Sequence, residues 1–408
     1  MPRSKPSPSS KAAIGNNPER NRSHNRRVVL DAVRLHGPIG RTAIARHAHL
    51  TAQAVSNIVG ELLSEGLLLE CGRRRSGRGL PPVQVIVNPD GGMTVGVELA
   101  ADRLVTVLVD LSGHVRAHRT TLLADPTPAK IVPLLTRAVD DICQAVPGSA
   151  ARLLGVGVVM PGPFEIEGMS SVGPTTLPGW SGLDATAILS KALGKPAIVE
   201  NDATAAAVGE RLHGVARNFK NFGLVYFGAG LGLGIVSDGR PMRGAFGNAG
   251  EIGHVIVLRG GKSCACGNNG CLERYVSVHA LQERLRRHGI ACETTEDMTA
   301  AYEAREPEMV AWIAEAGAML APIVGMLENI LDPETIVFGG SLPDAVMDAL
   351  IEALAPLPLS VASRRERAIP RVIRGATGRL TAALGAAALP LLETMTPKLD
   401  TGPAASLS

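Results

Sequence analysis

One histidine and three cysteines, His254, Cys264, Cys266 and Cys271, fall within eighteen residues, in a run that reads Cys-x-Cys-Gly-x-x-Gly-Cys and ends at Glu273. Imidazole and thiolate are the ligands that tetrahedral Zn²⁺ takes, and four protein ligands leave no open position for a catalytic water. The spacing therefore predicts a structural zinc site. Three buried small side chains or a disulfide are the alternatives. Cys-x-Cys spacing brings two side chains too close for an unstrained bridge, whereas Gly267 and Gly270 permit a tight turn around an ion. Cys71, Cys143 and Cys292 are isolated and read as packing residues, which suits a reducing cytoplasm better than a disulfide framework.

A second chemistry lies in the charge distribution. Residues 1–90 carry fourteen Lys/Arg against six Asp/Glu, and the remainder carries 27 against 32. A basic head on a mildly acidic body points to a polyanionic partner. From Asn25, the residues Val28, Val29, Ala32, Val33 and Leu35 form a helical apolar stripe that stops at His36-Gly37-Pro38. A short helix follows over Arg41–Ala48. After Thr51, an N-cap type, a third runs over Ala52–Ser64 with Val55, Ile58, Val59, Leu62 and Leu63 on one face. Two strands, Leu67–Cys71 and Pro82–Val87, flank an arginine-rich turn.

This is the pattern of a winged helix-turn-helix, whose third helix enters the major groove of double-stranded operator DNA. Its expected DNA contacts are Arg41, Thr51, Gln53, Ser56 and Asn57, with Arg73, Arg74, Arg75 and Arg78 on the wing. A solvated charged face, or a three-helix module that docks another protein, is the bland alternative.

Behind these elements, 408 residues with 45% hydrophobic content exceed one ordinary core and should divide into two or three domains, with 3% aromatics making the core aliphatic. No run of eighteen apolar residues occurs and the first 23 residues hold no apolar signal segment, so the expectation is a soluble cytoplasmic protein with no membrane partner. The body begins with strands at Thr94–Leu99, Leu104–Leu111 and Val115–Leu122, then a helix over Pro128–Val146 and a strand at Leu153–Met160. A second copy of this order can be traced over residues 223–342: Leu224–Phe227, Leu233–Ser237, the cysteine segment, long helices, and Thr335–Phe338 before Gly339-Gly340-Ser341. Two ribonuclease-H-like lobes enclosing a cleft are expected.

Three stretches carry a family likeness: Gly244 to His254 with its Gly-Glu-x-Gly-His end, the cysteine cluster through Glu273, and Glu200-Asn201-Asp202-Ala203-Thr204-Ala205-Ala206. They resemble the ROK family of bacterial repressors, open reading frames and sugar kinases, over about residues 25–390. The N-terminal head matches its repressor branch. The resemblance implies an α/β fold, a winged helix-turn-helix followed by a two-lobed actin-like (ribonuclease-H-like) sugar kinase fold with a structural zinc site. It further implies that Asp202 stands where the kinases keep their general base, here vestigial, and that Asn201, Asp202, Glu251, His254 and Glu273 bind a sugar effector, with Thr176 where the kinase loop Asn-x-Pro-Gly-Trp commonly has its asparagine. His254 serves both zinc and sugar through its two ring nitrogens.

The kinase pattern breaks at its phosphate loop, Asp-x-Gly-Gly-Thr-Lys in the family, where this chain reads Glu98-Leu99-Ala100-Ala101-Asp102-Arg103. Alanines replace both glycines, and Asp102 is expected to set an anion where phosphate would sit. The second glycine loop, Gly228-Ala229-Gly230-Leu231-Gly232, persists. The resulting expectation is a non-enzymatic, sugar-responsive regulator acting as a homodimer or homotetramer. A basic tail is placed at 1–22, the DNA-binding domain at 23–88, a first lobe at 89–200 with helix 376–393 packing back on it, and a second lobe at 201–375. An ATP-dependent sugar kinase that retains a DNA-binding module is the alternative.

Overall fold

The computed structural model describes residues 18–73, 83–161, 177–180, 182–362 and 367–395. The chain divides into two units: residues 1–87 with 394–408, and residues 88–393.

In the first unit, helices α1 (Pro18–His36), α2 (Arg41–Ala48) and α3 (Ala52–Ser64) accompany strands β1 (Ile39–Gly40), β2 (Leu68–Arg73) and β3 (Val83–Val87), in the antiparallel order β1-β3-β2. Val29, Val33, Ile44, Val55, Val59 and Leu62 bury their side chains among these elements. α1 starts at Pro18, inside the stretch assigned to a tail. Its first turns hold no apolar stripe, which is why periodicity missed them. Instead Arg22 pairs with Glu61 at 2.6 Å, and Arg26 with Glu65 on α3. Thr51 caps α3 by accepting from the Ala54 N–H at 3.2 Å. Cys71, read as a packing residue, is exposed, because the sheet of this unit has a solvent face.

The second unit holds two five-stranded sheets of one design. The first contains β4 (Met93–Leu99), β5 (Arg103–Asp110), β6 (Val115–Leu122), β7 (Leu153–Met160) and β8 (Ala197–Asn201), ordered β6-β5-β4-β7-β8. The second contains β9 (Phe222–Phe227), β10 (Leu231–Ser237), β11 (Arg240–Pro241), β12 (Thr335–Gly340) and β13 (Val372–Arg374), ordered β11-β10-β9-β12-β13. In each, three antiparallel strands are extended by two parallel ones. β8 was missed from sequence: it is five residues long and only its pairing with β7 identifies it.

Helices α4 (Pro128–Gln144) and α5 (Ala185–Leu193) cover one face of the first sheet, where Ile131, Leu135, Val139 and Ile142 of α4 are buried. Each such side chain contributes about 1.5–3 kcal/mol. α6 (Asp202–Leu212) follows β8 directly. The second sheet packs against α7 (Glu273–Val276), α8 (Val278–Arg287), α9 (Thr295–Glu303), α10 (Pro307–Leu331) and α11 (Asp344–Glu352) in one large core. α12 (Thr381–Met395), expected over 376–393, starts later because the 376 and 377 N–H groups bond Glu210; it returns to the other face of the first sheet, where Ala383 and Ala387 meet Val105, Val107 and Val109. By length and composition α10 is apolar enough to cross a membrane, despite Glu315 and Glu328; 56% of its most apolar window, however, is buried in this core.

Candidate functional site

The cleft is built where β8 turns into α6. Asn201 ends the strand and caps the helix, its side-chain oxygen accepting from the Thr204 N–H at 2.7 Å. Asp202, the first helical residue, accepts from the Ala203 N–H at 2.8 Å. Burial raises its carboxyl to about 7; the Ala203 N–H opposes this, and Glu98 and Glu251 raise it further.

Opposite stands the loop that leaves β11. Gly250 lies at φ 97°, and a Cβ there would meet the Leu233 carbonyl oxygen at 1.9 Å. Only glycine lets this loop bond to β10, where the Leu233 N–H donates to the Gly250 oxygen at 2.9 Å. That contact places Glu251 and His254 on the cleft. Glu273 reaches it from the start of α7. Asn201, Asp202, Gly230, Glu251, His254 and Glu273 line one pocket. Three carboxyls, an amide and an imidazole around a small cleft offer the mixed donors and acceptors that a polyol needs. Burial also raises the Glu251 carboxyl, against the pull of His254.

The histidine presents its two nitrogens to different partners. Nδ1 lies 3.6 Å from Cys264 Sγ and 3.7 Å from Glu273 Oε1, while Nε2 lies 4.0 Å from Glu251 Oε2. Cys266 Sγ and Cys271 Sγ are 3.5 Å apart, and the ligand atoms of His254, Cys264, Cys266 and Cys271 all fall within 4.8 Å of one another. Tetrahedral sulfur ligands at the usual bond length stand about 3.8 Å apart, so the donor set fits a single metal ion. The loop closes through Gly270, at φ 86°, where a Cβ would meet the Leu258 carbonyl oxygen at 1.7 Å. Burial pushes the Cys264 thiol up to about 12 and raises Cys271, whereas the Asn268 N–H and the neighbouring thiols bring Cys266 down despite its burial.

The phosphate side differs from expectation. The β4–β5 turn is closed by the Ala100 N–H donating to the Arg103 oxygen at 2.9 Å. Asp102, expected to set an anion where phosphate would sit, has a side chain 73% exposed, because the short turn projects it outward. The buried anion is Glu98 instead, paired with Arg103 at 3.1 Å. Burial raises the Glu98 carboxyl and Arg103 opposes the shift. Tyr226 is buried in the same electrostatic environment, its hydroxyl raised well above the ordinary range by burial and then by Glu98 and Asp202. Neither Glu98 nor Tyr226 was singled out as a site residue. The acidic residue just ahead of the altered turn was the available signal.

Thr176 lies outside the described residues. The Leu177 and Trp180 that follow it are buried in the first core, with the Trp180 indole N–H donating to the Pro126 oxygen at 3.0 Å. In the head, Gln53, Ser56 and Asn57 are exposed on α3, and Gln53 donates to Asn57 at 3.0 Å. Arg41 sits 3.7 Å from Glu70. Arg73 ends β2, and Arg74, Arg75 and Arg78 fall outside the described residues.

Residues 94–392 match the model of the ROK family. A relative named xylose repressor, from Caldicellulosiruptor bescii, is 30% identical over 329 residues, 77% of this chain and 82% of its own length. The crystal structure of a ROK family transcriptional regulator, described as a homolog of the Escherichia coli MLC protein, is 25% identical with a TM-score of 0.73, covering 92% of this chain and 98% of its own. A ROK hexokinase from Thermus thermophilus is 27% identical with a TM-score of 0.57, covering 74% of this chain and 98% of its own.

Proposed function

From the premise that this chain belongs to the ROK family, we propose that it is a cytoplasmic, sugar-responsive transcriptional repressor without kinase activity. In this reading α1 to α3 with β2 and β3 form a winged helix-turn-helix. Gln53, Ser56 and Asn57, with Arg41, Thr51 and the arginines 73, 74, 75 and 78, contact operator DNA, and the chain binds as a homodimer or homotetramer. The lobes 89–200 and 201–375, with α12, form a sensing body. Asn201, Asp202, Glu251, His254 and Glu273, with Thr176, hold a sugar or sugar derivative. Zinc held by His254, Cys264, Cys266 and Cys271 would brace the loop carrying His254 and leave Nε2 for the ligand.

The observation that carries this reading is an asymmetry in the cleft. The sugar side keeps its polar set, while the turn that would cradle phosphates has Ala100 and Ala101 and is backed by the Glu98–Arg103 pair. A triphosphate would meet methyl groups and a buried carboxyl in place of backbone N–H groups.

The test is fluorescence anisotropy of the full-length protein on DNA from upstream of its own gene, with salt, D-xylose, hexoses and amino sugars as variables. Binding that weakens steeply with salt, and that one sugar relieves, is the expected result. Salt-independent association would favour a protein-docking head. The kinase alternative draws on Asp202, whose carboxyl near 7 suits a general base. Turnover of about 1–100 per second in a coupled ATP assay would establish it in place of the repressor.

A further inference from the structure

The chain passes between the two sheets of the body twice. It leaves β8 for β9 through α6 and the turn after it, and it leaves β13 for α12 through residues 375–380. Both crossings converge on one side chain. Glu210, near the C-terminal end of α6, is fully buried. Its Oε2 accepts from the Val215 N–H at 2.9 Å, in the first crossing. Its Oε1 accepts from the Ala376 N–H at 2.8 Å, the Thr377 N–H at 2.9 Å and the Thr377 hydroxyl at 2.7 Å, in the second. The backbone is shaped around this carboxylate: a Cβ at Gly214 would lie 1.8 Å from Oε2, and one at Gly375 would lie 2.6 Å from Oε1.

The helices on either side of this junction are each fastened to a different sheet. Ala203 and Ala207 of α6 press on Gly234 of β10, while Ala386 of α12 presses on Gly157 of β7. The helices touch each other where Gly385 approaches the Ala205 carbonyl oxygen, at a distance that would be 2.3 Å from an added Cβ. The other end of α6 carries Asn201 and Asp202, in the pocket.

We propose that Glu210 is the positioning residue that locks the two crossings together, so that a displacement of α6 by a ligand at its N-terminal end is carried to α12 and the first sheet. The role as a lock stands on the geometry alone; the transmission of ligand occupancy rests on the pocket proposed above. A carboxylate shared by donors from two segments makes their opening one event, since losing either set strands part of a buried charge.

Hydrogen exchange of the full-length protein tests the lock without any ligand. In the isosteric Glu210→Gln variant, amides in 213–217 and 375–378 are expected to exchange together about tenfold faster or more, with strands β9 and β12 unchanged. Thr377→Val, a milder change that replaces the hydroxyl with a methyl group and so loses its bonds to Glu210 and to Thr381, discriminates further, because neither bond reaches Val215. Faster exchange at 213–217 in this variant supports the lock. Acceleration confined to 375–378, or spread evenly over the whole body, overturns it. For transmission, DNA release by D-xylose or N-acetylglucosamine is compared in wild type and Thr377→Val. No release in wild type counts against the proposed function and the transmission, leaving the exchange result to decide the lock. Release at the same sugar concentration in both, with sugar affinity unchanged, overturns the transmission. A release curve at least about threefold weaker in the variant at equal sugar affinity supports it.

Discussion

The two sheets of the body share one strand order, and each begins with a hairpin at the same place in that order, yet the two hairpins have diverged in opposite directions. The β9–β10 turn keeps Gly228 and Gly230, and Gly230 and Gly232 line the pocket. The β4–β5 turn has Ala100-Ala101-Asp102, and the strand residues at its base, Glu98 and Arg103, pair with each other. A turn that must let a ligand approach its backbone keeps glycine. A turn released from that demand can carry side chains and satisfy its charges internally. The difference teaches that one strand order can hold a polar cleft beside one hairpin and a self-paired turn at the other, which is the asymmetry the proposed function draws on.

The largest effect is expected from the cluster of His254, Cys264, Cys266 and Cys271. Cys264→Ser should lower bound metal, measured by elemental analysis, to well below one ion per chain. It should also lower the thermal midpoint by at least about 5 °C, because a metal that binds only the folded loop adds its binding free energy to folding. An unchanged midpoint with full metal content would show that Cys264 is not a metal ligand.

Next is the closed hairpin. Arg103→Ala leaves Glu98 buried without its cation and should cost about 1–3 kcal/mol in chemical denaturation, discounted because Arg103 is 37% exposed. Adding Glu98→Gln should recover part of that loss. Neither variant should gain ATP turnover in a coupled assay, and a gain would mean that the ion pair alone had been suppressing a working phosphate site.

Asp202 lies between the two hairpins, and its effect is one of pH. Its folded carboxyl sits near 7 against 3.8 for the free group, so the folded state binds the extra proton between these values. Its contribution to stability is fully present below about pH 4, fades as pH rises through about 7, and is absent above. Asp202→Asn should flatten the urea midpoint between pH 5 and pH 8. An identical slope in wild type and variant would show that the carboxyl titrates normally.

The smallest effects separate the hairpins directly. A Cβ at Gly230 would stand 3.1 Å from Glu273 Oε2, so Gly230→Ala should cost under about 1 kcal/mol of stability while weakening sugar binding measured by calorimetry. Ala100→Gly should cost about 0.4–1 kcal/mol through unfolded-state entropy and leave sugar binding unchanged. Equal binding losses in the two variants would show that the two turns serve a ligand alike.

Much of this was legible along the chain because it is local. The His254, Cys264, Cys266 and Cys271 spacing, the turn glycines Gly267 and Gly270 inside it, the apolar stripe of α3 and its Thr51 cap all depend on residues close in sequence. The alanines at 100 and 101 likewise announced a changed turn. The start of α1 was not legible, since its support is Arg22 and Arg26 reaching Glu61 and Glu65 thirty-nine residues away. Nor was the identity of the buried anion: Asp102 and Glu98 are both acidic, and only the direction in which the strand and its turn face distinguishes a solvated carboxylate from an enclosed one.

The sequence by itself therefore determined the histidine and cysteine cluster and the helices of the head, since each is written in spacing and periodicity that one segment can satisfy alone, whereas the cleft residues were named through the family resemblance. Only the tertiary structure decided that Nδ1 of His254 faces the thiols while Nε2 lies toward Glu251, that Arg103 neutralises Glu98, and that Glu210 joins residues 215, 376 and 377. Those outcomes depend on which distant backbone donors and charges meet inside a low-dielectric interior, where each buried polar group must find a partner that no local pattern can supply.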